Sequence, residues 1–580
     1  MEREYVVIVH KGVDLAAFDA ELAASTGDSP IPNRAVQVAD PREGSKRMTH
    51  WMLTDDEAQT LQSDQRVYAV EIPPHLRDDV EFVLDARSKK GGRFKRGGGK
   101  TANNVNWGLV RSNSKANIYF GQEDVSLGEQ NDYVYALDGS DVDVVIQDTG
   151  IEASHPEWED RYGNSRLQQI DWFAESGIPG TQHAEHYSDA DGHGTHVAGI
   201  IAGKTYGWAK GAHIYAQKLS AFGDSSGIDI GTSPSTAFDM IRLWHNAKTN
   251  GRPTVVNMSW GLRWKTPHAP TTIFYRGETF SNQNQNDSNA STIWSQYGIP
   301  AIKYGAAQDR YLPMQSAAYD VEIEEMIEAG IHVCISAGNG YIKSDVPGGV
   351  DYNNYAVFPV TTNGITSNQT IRYHRPASPY HENAYFVGNI SSSPRNSLMK
   401  VDGAEQSSNR GPAVNVWAPG TDIMSATNSS STGDDVFNYP DNASYKIKSV
   451  SGTSQAAPQV AGVLALHLQS QPYLTPARLM RKVIDDAVEG IIETNRRDDD
   501  FQTFGGSLLG GPNIFLRSRY GVANPFNVEV PSVGGGSGSG AGTETGEGGT
   551  YDPSVDTEVE YTSQSGFMFF TQSGEQIVSQ

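Results

Sequence analysis

The chain carries one cysteine, Cys334, in 580 residues. That count excludes an intramolecular disulfide framework and a multi-cysteine zinc cluster. No run of about 18 apolar residues occurs, so no transmembrane helix is predicted. The opening segment, Met1 to His10, lacks the apolar stretch of a secretory signal. These two absences predict a protein without a membrane partner that either acts where it is made, in the cytoplasm or built into an assembly such as a virus particle, or leaves by a route this sequence does not show. Positive charge is also short. Lys plus Arg number 45 against 69 Asp plus Glu, a net charge of −24, which argues against nucleic acid as the main partner. The apolar fraction is only 37%, yet 10 Trp, 26 Tyr and 19 Phe supply a packed interior.

Composition divides the chain. Residues 1–80 read as a small α+β unit, with a strand at Tyr5–Val9, a helix at Asp14–Ala24, an acidic helix start at Thr54-Asp55-Asp56-Glu57 and a β-rich run at Val67–Ile72. The stretch 81–101 contains seven basic residues, five glycines and no acid between Arg87 and Lys100, an exposed linker and a candidate processing region. From 102 to 525 strands and helices alternate. Val142–Gln147, Thr254–Met258 and Ile331–Ser336 are near-continuous apolar strands, the pattern of a parallel sheet covered on both faces. Val197–Ala202, Ala237–Lys248 and Ile323–Ala329 are helical. The class is α/β, with ligands expected at the carboxyl ends of the strands. Residues 526–580 form a tether, with nine glycines in 531–550, and a short β-like tail.

Three polar constellations fall at strand ends or helix starts. Asp148-Thr149-Gly150 ends a buried strand, where a carboxylate can stay ionised while holding an imidazole; the same tripeptide also makes an ordinary turn. In Asp191-Gly192-His193-Gly194-Thr195-His196, glycines flank His193 and let backbone approach it. His183, His186, His193 and His196 satisfy a zinc site by count, but the glycines interrupt any one-face display and no His-Glu-x-x-His frame is present. Ser451-Gly452-Thr453-Ser454 leads into a helix whose dipole favours negative charge near Ser454, although a serine there also serves as a plain N-cap, and Pro458 is costly inside the first turns.

Asp148, His193 and Ser454 stand in the chain order Asp, His, Ser that subtilisin uses. With Asp-Thr-Gly, His-Gly-Thr-His-Val-Ala-Gly and Ser-Gly-Thr-Ser-x-Ala-x-Pro all present, the chain resembles the subtilisin-like serine proteases. That resemblance implies a three-layer fold around a mainly parallel sheet. It implies Ser454 as nucleophile, His193 as its base and Asp148 as the group that orients the imidazole. Ser336-Ala337-Gly338-Asn339-Gly340 resembles the family's oxyanion segment, with Asn339 as donor beside the Ser454 amide. Ser259-Trp260-Gly261 is similar to the strand end that lines the primary specificity pocket. Ser225-Ser226-Gly227 resembles the edge segment that pairs with extended substrate, which gives Ser226 and Gly227 as substrate-binding residues. Ser408-Asn409-Arg410-Gly411-Pro412 and Trp417-Ala418-Pro419-Gly420 match as well. Cys334 reads as a core residue.

The resemblance further implies that residues 1–80 form an inhibitory pro-domain, with Asn106-Trp107-Gly108-Leu109 resembling the start of the mature enzyme. The expected function is therefore a serine endopeptidase made as a self-processing zymogen. Its partners would be a protein or peptide substrate and its own N-terminal domain. No cofactor is required for the chemistry, and structural calcium, frequent in the family, is not assignable. Insertions at about 262–320 and 341–400 stretch the spacing of the motifs and are expected to border the cleft and narrow its substrate range. The competing expectation is a catalytically silent, structural member of a larger assembly, with the tail as its attachment.

Overall fold

The computed structural model describes residues 2–84, 106–115, 132–219, 232–266, 270–281, 303–304, 309–340, 342–362, 365–391, 407–492, 508–524, 569–570 and 576–577. The N-terminal unit is a four-stranded antiparallel sheet, with Gln37–Asp40, Met48–Leu53, Arg3–Val9 and Val67–Glu71 side by side. Helices Leu15–Ala24 and Asp55–Gln62 accompany it, the second opened by a capping box between Thr54 and Glu57. Every residue from Tyr5 to Val9 is buried, and strand geometry explains why. Alternate side chains point to opposite faces. Tyr5, Val7 and Val9 enter the unit's own core with Phe18, Leu22, Trp51 and Leu61, while Val6, Ile8 and Met48 enter the large core of the following body. An antiparallel sheet apolar on both faces is one pressed against a partner.

That partner centres on a nine-stranded sheet. Its middle strands, Val416–Pro419, Tyr385–Ile390, His332–Ser336, Thr254–Met258, Asp143–Asp148, His213–Lys218 and Leu167–Gln168, run parallel in that spatial order. The Asp143–Asp148 strand sits where the order reverses, with the next two strands in sequence on one side and all later ones on the other. In open α/β sheets the carboxyl ends at such a point form the ligand crevice. Helices His193–Ala202 and Thr453–Ser470 pack on one face, Pro234–Ala247 and Ala317–Glu328 on the other.

The two insertions build antiparallel sheets beside this body. Thr272–Tyr275, Glu278–Ser281, Tyr355–Thr362 and Ile365–Ile371 pair around a small core of Ile273, Phe358 and Tyr373. Trp260–Thr266 pairs with Asp309–Pro313 on one edge. On its other edge lies Val80–Leu84, with Trp260 opposite Leu84, Gly261 opposite Val83 and Leu262 opposite Phe82. The last described segment of the N-terminal unit therefore leaves its own sheet and becomes a strand of the next body. At the other end of the chain, Phe570 pairs with Tyr135.

Candidate active site

Asp148 ends its strand fully buried, and one carboxylate oxygen accepts from the Thr149 amide at 2.8 Å and faces His193 Nδ1 at 2.7 Å. His193 is the first residue of its helix, entered through Gly192 at φ 90°. A Cβ on Gly194 would lie 2.1 Å from the Gly150 carbonyl oxygen. The glycine therefore lets the helix start rest directly on the Asp-Thr-Gly turn. Burial works against a charged imidazole, but the Asp148 carboxylate outweighs it and holds the His193 pKa above its ordinary value.

Asp189, which sequence reasoning passed over, ties these two segments together. One of its oxygens accepts from Thr149 Oγ1 at 2.9 Å and Gly192 N at 2.8 Å; the other accepts from Thr195 N at 2.8 Å and Thr195 Oγ1 at 2.7 Å. Burial pushes its pKa up, and the four donors pull it back down only in part. Its only sequence signal was an aspartate shortly before the His-Gly-Thr segment.

Ser454 is the second residue of the Thr453–Ser470 helix. Pro458, four residues on, has no N–H to give the Ser454 carbonyl. That carbonyl instead accepts from Ser259 Oγ at 3.0 Å, and Ser259 Oγ in turn accepts from Asn257 Nδ2 at 2.9 Å. The proline expected to be costly thus frees an acceptor that anchors the Ser454 helix to the neighbouring strand end. Ser454 Oγ donates to the Ser259 carbonyl at 3.0 Å, and His193 Nε2 has no hydrogen-bond partner among the described residues.

Asn339 lies on the loop after His332–Ser336. Its Oδ1 accepts from the Thr453 amide at 3.0 Å, which fixes the carbonyl edge of the side chain against the Ser454 helix and so fixes which edge donates. Asn409 shapes this loop: its Oδ1 accepts from Gly340 N and Ile342 N, both at 3.0 Å, and its Nδ2 donates to the Ala337 carbonyl at 2.7 Å. The motif around Asn409 was noted in the sequence, its bracing role was not.

The remaining expected site residues divide. Ser259 is drawn into the Ser454 anchor, and Gly261 offers backbone to the docked strand. Trp260 is fully buried, with its ring centroid 5.7 Å from Phe82, 6.2 Å from Tyr319 and 6.3 Å from Phe238. Ser226 and Gly227 lie outside the described residues. The rival histidine cluster is dispersed: His186 Nε2 is 3.0 Å from the Ala216 carbonyl and His196 Nε2 is 3.0 Å from the Lys448 carbonyl. Among the described residues no group of three His, Cys, Asp or Glu side chains is placed to hold a metal ion. Cys334 is buried in its strand, and burial pushes its thiol pKa well up.

A helix-start serine, an imidazole bonded to a buried carboxylate and a braced asparagine stand at strand ends and helix starts of the parallel sheet. The subtilase family matches residues 139–507, and the chain belongs to that family. It is 27% identical over 415 residues to a cuticle-degrading serine protease of Arthrobotrys oligospora, covering 71% of this chain and 68% of that protein. It is 24% identical over 399 residues to the subtilisin-like serine protease Pen c 2 of Penicillium citrinum, covering 67% and 62%. A subtilisin-like protease of Coccidioides posadasii is 25% identical over 403 residues, covering 68% of this chain but 58% of the relative. Among solved structures, fervidolysin of Fervidobacterium pennivorans, a keratinolytic enzyme related to subtilisin, aligns over 88% of this chain and 60% of that one at 16% identity, TM-score 0.45. No helix among the described residues is long and apolar enough to cross a membrane.

Proposed function

We propose that the protein is a serine endopeptidase that cuts protein or peptide substrates and is made as a self-processing zymogen. The observation that carries this reading is the 2.7 Å contact between Asp148 and His193 beside a helix-start serine. Ser454 Oγ attacks the scissile carbonyl while His193 Nε2 takes its proton, and His193 then returns that proton to the leaving amine. Asp148 holds the proton-bearing Nδ1 edge and stabilises the imidazolium. The Ser454 amide and Asn339 Nδ2 donate to the oxyanion, and water then hydrolyses the acyl-enzyme by the same steps in reverse roles.

The zymogen part rests on the docked strand. Val80–Leu84 adds to the edge of Trp260–Thr266 through main-chain hydrogen bonds, as an extended substrate does. Leu84 lies opposite Trp260, the residue after Ser259, whose carbonyl is 3.0 Å from Ser454 Oγ. The self-processing cut is therefore proposed within a few residues of Leu84. The test is the intact mass of the full chain after incubation at neutral pH, wild type beside Ser454→Ala. A cut within a few residues of Leu84 in wild type alone is expected. Cutting of both proteins, or of neither, refutes self-processing.

A further inference from the structure

Away from the cleft, the N-terminal unit inserts one side chain into the helices of the catalytic body. Arg42 sits at φ 49° on a tight turn, with its amide bonded to Asp40 and its carbonyl accepting from Ser45. Its side chain is 1% exposed. Nε meets Asp239 Oδ2 at 2.8 Å, Nη2 meets Glu322 and the Ser235 carbonyl, and Nη1 lies 3.2 Å from His50 Nε2. The catalytic body thus supplies two carboxylates and a backbone carbonyl, with acceptors on three sides of a planar donor group. Behind them Arg242 pairs with Asp239 and Glu322, and with Glu325 at 3.2 Å, and its Nε donates back to the Gly44 carbonyl.

Charge balance decides what this socket wants. With Arg42 seated, two guanidinium groups face three carboxylates, Asp239, Glu322 and Glu325. With Arg42 cut back to alanine and the N-terminal unit still docked, Arg242 alone faces all three in a region where each is nearly inaccessible. An uncompensated buried carboxylate is strongly unfavourable, so the emptied socket favours a cation. The planar, five-donor guanidinium suits carbonyl and carboxylate acceptors on several sides better than an ammonium does. The fit is close: a Cβ on Gly44 would lie 2.6 Å from Asp239 Oδ1.

We infer that Asp239, Glu322 and the Ser235 carbonyl form a guanidinium-binding site of the catalytic unit, filled here by Arg42, and that this site holds the N-terminal unit in place once the linker is cut. The occupant is this chain's own N-terminal unit, which becomes a separate molecule on cutting. The second clause rests on the zymogen reading above; the binding site itself does not.

The test makes the cut independently of the protein's own activity. Full-length Ser454→Ala is nicked by trypsin in the basic stretch Arg87–Lys100, and the two pieces are followed by gel filtration and native mass spectrometry. The N-terminal piece is expected to stay bound with Arg42 intact, and to be held at least about a hundredfold more weakly after Arg42→Ala or Asp239→Asn. Asp239→Asn acts from the catalytic side and leaves the N-terminal unit unaltered, so misfolding of that unit does not explain its release. Guanidinium chloride at low concentration, compared with equal sodium chloride, is expected to restore binding in Arg42→Ala. Retention in both variants, or release without rescue by guanidinium, overturns the assignment. Since trypsin makes the cut, failure of self-processing leaves this readout untouched.

Discussion

Replacing Asp189 by asparagine changes one oxygen to an NH2 group and should disturb catalysis without touching Asp148, His193 or Ser454. Four donors converge on the Asp189 carboxylate, from Thr149, Gly192 and Thr195. An amide oxygen serves only one side of that set. The NH2 group then faces either the Gly192 side or the Thr195 side, each with one hydroxyl and one backbone N–H. A hydroxyl can turn and accept; a backbone N–H cannot. One buried N–H is left without an acceptor, at about 1–3 kcal/mol, and charge-assisted bonds become neutral ones, so a total loss of about 3 kcal/mol is expected. The displaced group is the start of the His193 helix, and loss of its alignment with Asp148 should lower kcat by about a hundredfold. Asp148 is the main group that holds the His193 pKa up, and the Asp189 charge, which the substitution removes, adds to it. The acid limb of kcat/KM should therefore move to lower pH as that contact loosens. Denaturant melts and a pH profile on one peptide substrate supply both readouts. If stability falls but the acid limb stays, Asp189 is structural only and the positioning argument fails. If neither moves, the hydrogen-bond accounting is wrong.

Gly194→Ala places a methyl group 2.1 Å from the Gly150 carbonyl oxygen, a backbone atom beside Asp148. It should lower stability by about 1–3 kcal/mol and kcat/KM at least about tenfold, checked by melting and peptide hydrolysis. A fully active Gly194→Ala would show that the two segments are not in contact. Asp320, bonded to Ser378 Oγ at 2.6 Å and Tyr380 N at 3.0 Å, has its pKa pushed by burial from 3.8 up to about 7. A folded-state pKa above the unfolded one means the folded state binds the proton more tightly. Its contribution is complete below the ordinary carboxylate range and is lost as pH rises through about 7. Asp320→Asn should remove about 2–4 kcal/mol of pH dependence across that window in denaturant titrations; an unchanged slope would refute the assignment.

Much of the architecture was legible because its determinants are local. The parallel strands Asp143–Asp148, Thr254–Met258 and His332–Ser336 are buried on both faces, so each reads as a continuous apolar run bounded by turn residues. Asp148, His193, Asn339 and Ser454 stand at strand ends or helix starts that such patterns mark. The structure brings the first two into contact and places the others on adjoining segments. The strand at Met48–Leu53 is buried on both faces and so loses the alternation that identifies a strand, while Gln37–Asp40 is exposed and has no apolar face to mark it.

The sequence by itself determined which segments become strands and helices, and which chemistry stands at their ends. Tertiary structure alone decided what those ends face. Val80–Leu84 joins the Trp260 strand rather than its own sheet, and Trp260 turns into an aromatic cluster with Phe82, Phe238 and Tyr319. Asp189 gathers donors from two segments, and Arg42 finds its carboxylates on helices 197 and 280 residues away. Backbone propensity and apolar periodicity act over a few residues and leave a trace in composition. A buried hydrogen bond or ion pair depends on which distant surfaces meet, and no local pattern records that meeting.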